Sequence, residues 1–247
     1  MEEKSDFSFV KNKEIAICGS INGILLDSLI WPYIALFVMQ LILYNWYDGL
    51  VENYYFAMQL ILRIITMIFT LAAGIFIAQP KILIKAYKKF DVSNVKTIFA
   101  TLGAMIAFSF GYNLFLMIIG VDTTNGNANQ NAIIDMIKSA PMLAFISTVI
   151  LAPIVEEITY RYFLYGGIAL FNKKWAIIIS GFVFMSLHAV SSFTSGVDNI
   201  LREILLLPPY MFSGMALAYA YQKSENLAVS TTTHSLNNLI SFILCLI

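Results

Sequence analysis

The sequence predicts an all-α fold, a polytopic bundle of about seven to eight transmembrane helices forming one integral membrane domain. Three observations carry this. Of 247 residues, 59% are hydrophobic and 12% charged, about half the charged share of an average soluble domain. The apolar residues gather into runs of the roughly 20 residues a helix needs to cross a bilayer. Those runs lack the period-two alternation of a half-buried strand.

The runs cover residues 26–44, 56–78, 97–119, 142–171, 175–190, 204–221 and 227–247, and residues 15–25 supply an eighth, interfacial segment. The first run follows a polar stretch of mixed charge, which does not read as a cleavable signal peptide. The third ends at the Asn- and Gly-rich stretch of residues 120–130, GVDTTNGNANQ. The chain therefore divides into N-terminal transmembrane helices (1–119), a polar connecting loop (120–140) and a C-terminal core (141–247). The fourth run is unusually long, and Pro153 within it is expected to bend the helix and open a water-accessible crevice. No internal repeat is visible.

Charge placement orients the bundle. Lys4, Lys11 and Lys13 precede the first run, and Lys81, Lys85, Lys88, Lys89 and Lys96 fill the second loop. Arg161, Lys173 and Lys174 surround the fourth-to-fifth turn, and Lys223 marks the last turn. Lys138 and Arg202 fall on the other side, and Arg63 lies within the second run. Basic residues favour the cytoplasmic side, so seven spans put the N-terminus in the cytoplasm and the C-terminus outside. One further span before Leu26 would place the N-terminus outside. The basic stretch 81–96 suits anionic headgroups, making membrane lipids the expected partner there. Arg63 either snorkels or pairs with a carboxylate such as Asp27. A formal net charge of zero gives no electrostatic case for a nucleic-acid partner. Cys18 and Cys245 suggest neither a disulfide framework nor a thiolate metal site. Cys245 is third from the end, outside the C-a-a-X lipidation pattern.

The chemistry concentrates in Glu156-Glu157-Ile158-Thr159-Tyr160-Arg161, inside an apolar run. A charged side chain at mid-bilayer costs roughly 2.5–3.5 kcal/mol on insertion scales and marks function. On a helix the two glutamates point about 100° apart, so they serve different partners. Glu157 and Arg161 are i,i+4 neighbours and form an ion pair. Glu156 is left to act as a general base. A structural Glu–Arg lock is the plainer reading of this stretch alone.

The only two histidines, His188 and His234, also lie in apolar runs. Phe184 stands one turn before His188, and taken alone that histidine reads as a core residue bonded to a backbone carbonyl. His234 and Asn238 share a helix face, where a polar interhelical seam is the plainer alternative. Depth links the sites: at 1.5 Å per residue, Glu156 and His188 lie ~24 and ~21 Å from the turn at residues 172–174. His234 lies ~16 Å from Lys223 by the same rise. One glutamate, two imidazoles and an amide suffice to activate water and stabilise an oxyanion. Glu156, His188 and His234 equally make a plausible zinc ligand set, and both readings stay open. There is no H-E-x-x-H, no aspartate pair across two spans and no Gly-x-Ser-Gly elbow.

The ordered set Glu156-Glu157-x-x-x-Arg161, Phe184-x-x-x-His188 and His234-x-x-x-Asn238 resembles the CPBP family, which comprises the type II CAAX prenyl proteases and the bacteriocin-processing or Abi proteins. The resemblance covers the chain from about Met142 onward. It implies a helical bundle with the active site buried in the membrane. Glu156 would activate water, His188 would hold that water or the substrate carbonyl, and His234 with Asn238 would stabilise the oxyanion. Glu157, Arg161 and Phe184 would support them. The family's members are described both as metalloproteases and as metal-independent glutamate proteases, and the expectation adopted is no obligatory cofactor, with zinc the alternative. The short chain resembles the bacterial branch, a multi-pass protein of the cell membrane.

The expected function is intramembrane hydrolysis of a membrane-associated peptide or protein: a bacteriocin or quorum-sensing propeptide, or a CAAX-like substrate. The site would be reached from a cytoplasm-facing or lateral crevice. The alternative is a non-catalytic protein of bacteriocin self-immunity or surface regulation. A proton-coupled transporter would call for matching charges in both halves, and the charges here cluster in one.

Overall fold

The computed structural model describes residues 10, 12–25, 34, 37, 41, 52–88, 90–190 and 200–246, the side chains of 52–56 excepted. Most of the first expected span, with Asp27, lies outside the described residues. Every regular element among those described is helical: α1 (Lys13–Ile21), α2 (Glu52–Ala78), α3 (Pro80–Ala86), α4 (Val92–Ile118), α5 (Ala128–Ser139), α6 (Pro141–Ala169), α7 (Lys173–His188), α8 (Ile200–Leu205), α9 (Pro208–Ser224) and α10 (Leu227–Leu246).

Side-chain caps start several of these helices by occupying first-turn N–H groups that have no intrahelical partner. Asn12 accepts from Glu14 N, Asp91 from Asn94 N, Asn127 from Gln130 N, and Asn172 from Lys174 N and Trp175 N. α4 stops at Gly120, whose φ of +82° takes the left-handed region a glycine enters without a Cβ clash.

Four segments are long and apolar enough to cross a bilayer: Ala57–Ala78, Val92–Ile118, Pro141–Ala169 and Ile200–Ser224. Of the seven to eight spans expected, these four meet both conditions among the described residues. The fifth run became a 16-residue helix, and polar residues from Ser230 to Asn238 dilute the seventh. The bundle turns large apolar side chains such as Phe76, Phe99 and Ile118 outward, as suits an apolar surrounding. The protein is an all-α membrane bundle.

The connector departs from expectation. Residues 120–140 contain helix α5 rather than loop alone. Asn127 caps it, and Ile133, Met136 and Ile137 pack against Leu60, Val149 and Phe242. Those three apolar residues form the buried face of an otherwise polar segment, which the composition masked.

Two local features position the site. α7 and α9 touch through Gly181 and Gly214. A Cβ on Gly214 would lie 2.9 Å from Gly181 Cα, and one on Gly181 would lie 2.9 Å from Met211 O. Small residues let membrane helices approach this closely. α6 is not uniformly α-helical: residues 146–151 and 158–165 are π-helical, a widening that recurs at functional sites. The first widening precedes Pro153, which has no N–H to give the preceding turn. The bend expected at Pro153 thus takes the form of a widened turn.

At the lysine-bearing end, Asn226 ties the α3–α4 loop to the α9–α10 turn. Its Oδ1 accepts from Lys88 N at 3.0 Å and its Nδ2 donates to Lys88 O at 3.1 Å. A cluster including Tyr162, Phe163, Tyr165, Tyr221 and Leu227 fills the core beside it.

Candidate active site

α6 carries the two glutamates through the middle of the bundle. Glu157 and Arg161 are both fully buried, with Arg161 Nε 3.1 Å from Glu157 Oε2. Two charges can remain this deep only when each neutralises the other and further polar groups complete their shells. Arg161 Nη2 donates to Gly214 O at 3.3 Å, and its guanidinium stacks over Phe184 at 4.9 Å. The Gly181–Gly214 contact therefore also brings Gly214 O within reach of Arg161.

His234, on α10, lies within hydrogen-bond distance of Glu157: its Nδ1 is 2.9 Å from Glu157 Oε1. A carboxylate paired with arginine can only accept, which assigns the proton to Nδ1. That leaves Nε2 directed at Glu156 Oε2, 3.8 Å away. Sequence reasoning paired Glu157 with Arg161 alone and missed this second partner. Nothing in the spacing links residue 157 to residue 234, since only the packing of α10 on α6 brings them together.

Glu156 stands on the other side of His234 from Glu157. Among the described residues no donor reaches its Oε2. The carboxylate lines a cavity of about 550 Å³, together with Arg63, His188, Tyr210, His234 and Asn238. His188 Nδ1 donates to Phe184 O at 2.8 Å, which is the backbone anchor that the plainer reading expected. The His188 ring nevertheless lines the cavity, held between Phe184 at 4.4 Å and Tyr210 at 4.6 Å. Tyr210, which no sequence pattern singled out, donates to Asn127 Oδ1 at 3.3 Å. It couples the cavity wall to the start of α5.

Asn238 has a specific partner. In the π-helical stretch Ala152 N bonds to Ser147 O, so the next carbonyl, Thr148 O, would look to Pro153, which has no N–H. Asn238 Nδ2 supplies the donor at 2.9 Å. One N–H of its amide is thus engaged, and the second remains for another acceptor.

All seven residues singled out from the sequence therefore surround one region, formed by α6, α7 and α10. The cavity occupies the connector half of the bundle. Its lining comes from Thr123–Gln130 of the connector, the adjoining end of α4, the start of α9 and the end of α10. An approach from the lysine-bearing end does not match this geometry.

The metal reading can be tested on the donors. A catalytic zinc takes three protein ligands. Among the described residues no three His, Cys, Asp or Glu side chains are gathered closely enough to hold an ion, so Glu156, His188 and His234 as placed do not form a three-ligand set. No step below is routed through a metal.

Residues 138–240 match a family model described as type II CAAX prenyl endopeptidase Rce1-like. An uncharacterized protein of Mycoplasma capricolum is 33% identical over 57% of this chain and 41% of its own length. A Bacillus subtilis protein named "Putative membrane peptidase YdiL" is 29% identical over 44% of this chain and 40% of its own. The UPF0177 protein YxdF of Lactococcus lactis is 25% identical over 59% and 76%. The alignments thus span about two fifths of the Mycoplasma and Bacillus relatives. No solved structure matches the chain.

Proposed function

From the match of residues 138–240 to the Rce1-like family model, we propose that the protein is an intramembrane endopeptidase cleaving a membrane-associated peptide or protein. Glu156 is its general base. The observation that carries this reading is the Glu156 carboxylate oxygen that no donor among the described residues reaches, 3.8 Å from His234 Nε2, on a side chain that lines the cavity. A water drawn in beside these atoms finds two acceptors.

The reaction follows from these groups. Glu156 takes a proton from water as the water oxygen attacks the scissile carbonyl. The carbonyl oxygen gains the negative charge, met by the remaining Asn238 N–H. Glu156 then returns its proton to the departing amine as the C–N bond breaks, and the new carboxylic acid keeps the other water proton. Glu157 and Arg161 act at one remove. Their pair fixes the His234 tautomer and ring, so that Nε2 rather than Nδ1 faces the water. The substrate class is that of the sequence expectation: a propeptide or a membrane-anchored tail, presented by the surrounding lipid.

The test uses wild type and Glu156→Gln in lipid nanodiscs with pooled hydrophobic and leader-type peptides, with and without a chelator. Cleavage by wild type only supports the reading, and loss on chelation would bring zinc into the mechanism. Equal cleavage by both proteins, or none by either across several lipid compositions, sinks it. The second outcome favours a role in self-immunity or surface regulation without catalysis.

A further inference from the structure

Among the described residues, only two fully charged side chains line the cavity, Glu156 and Arg63. The first has a role in the proposed reaction. The second is unexplained. Arg63 sits on α2 inside the span Ala57–Ala78, where a lone cation is costly. No carboxylate among the described residues pairs with it.

Its height in the bundle follows from its neighbours. One turn before it, Leu60 packs in the cluster of Ala144, Val149 and Phe242. One turn after it, Met67 packs with Ala152 and Val155. Arg63 therefore stands between these levels, a turn or two from Glu156 toward the connector. Apart from Glu156, the polar part of the lining is uncharged, with Asn113, Gln130 and Asn237 among it beside apolar side chains. An arginine fork in such a cavity is matched by a carboxylate, which it can grip with two parallel hydrogen bonds.

We propose that Arg63 binds a carboxylate of the substrate and so sets which bond lies at Glu156. Two sources share this chemistry, the free carboxyl terminus of a peptide and an acidic side chain. The proposal rests on the peptidase reading, but binding can be measured without turnover.

The probes are three fluorescently labelled hydrophobic peptides of one length. One ends in a free carboxylate, the second is its carboxamide twin, and the third is that carboxamide with an internal glutamate. Each is titrated against wild type, Arg63→Gln, Arg63→Lys and Glu156→Gln in nanodiscs. Wild type is expected to bind a carboxylate-bearing peptide about tenfold more tightly than the twin, the worth of one charge-assisted hydrogen bond. The tighter of the first and third peptides identifies the source. Arg63→Gln should erase the difference while binding the carboxamide as wild type does, and Arg63→Lys, which keeps the charge, should retain part of it. Equal binding of all three by wild type, no binding of any, or a difference that survives Arg63→Gln would overturn the proposal. Glu156→Gln separates the two ideas: carboxylate preference without cleavage in any protein keeps the Arg63 site and sinks the hydrolytic reading.

Discussion

Glu156 and Glu157 are chain neighbours in opposite settings, one with an oxygen that no described donor reaches and the other tied to Arg161 and His234, and disturbing each setting should have opposite consequences. Glu156→Gln keeps shape and removes a base. It should lower turnover by roughly 10²–10⁴-fold, the usual worth of general-base catalysis, with melting in detergent unchanged. A matching loss of melting temperature would make Glu156 a structural residue. Arg161→Met leaves the fully buried Glu157 carboxylate without its cation and should cost roughly 3–5 kcal/mol. The double variant Glu157→Leu with Arg161→Met removes both charges and should recover most of that stability. It should not recover activity, because His234 loses the acceptor that orients it. Restored cleavage in the double variant would refute that orienting role. The motif pattern made Glu156, His188 and His234 legible as a group, because charged and imidazole groups are conspicuous in apolar runs. The Glu157–His234 bond was not legible, since it spans 77 residues and depends on how two helices pack.

Helices convert these residues into a site through their irregularities. Pro153 gives α6 its widened turn, and Asn238 fills the acceptor that turn leaves at Thr148 O. Pro153→Ala restores an N–H, so α6 can close into a regular helix. The expected outcome is equal or higher thermal stability with activity reduced at least several-fold, as Glu156 and Asn238 shift relative to each other. Unchanged turnover would show that the widening is incidental. Gly214→Ala should act differently, since its Cβ meets backbone at Gly181. Pushing α7 from α9 weakens both stability and turnover, and Gly181→Ala should reproduce the effect. Asp91 offers a cleaner test at an element's edge. Hydrogen bonds from Asn94 hold its carboxyl below the ordinary carboxylate range. A depressed folded pKa contributes stability above the unfolded value of about 4 that is lost as pH falls through the folded value. Wild type should therefore melt above Asp91→Ala at pH 6, with the gap closing below about pH 4. Such caps were readable in principle from Asn and Asp before apolar runs, whereas α5 hid its buried face within a polar segment.

For the molecule as a whole, the open question is which side of the membrane the cavity serves. The long apolar runs were legible in the sequence, and its lysines suggest an orientation. The sequence could not reveal the cavity, because its walls come from six helices and the connector, distant in sequence. The lysine-bearing end holds Lys81, Lys85, Lys88, Lys173 and Lys174, while the cavity lies in the opposite half, lined by residues such as Thr123 and Gln130. If basic residues face the cytoplasm, substrates enter from outside or laterally from the outer leaflet, which fits the lateral but not the cytoplasm-facing crevice of the two expected from the sequence. Single cysteines decide this in a background with Cys18 and Cys245 replaced by serine. Asn125→Cys, in the exposed connector, should react with a membrane-impermeant maleimide on intact cells. Lys174→Cys, at the opposite turn, should react only after permeabilisation. The reverse pattern would turn the cavity toward the cytoplasm, and the substrate would then be a cytoplasmic tail rather than a segment reached from outside.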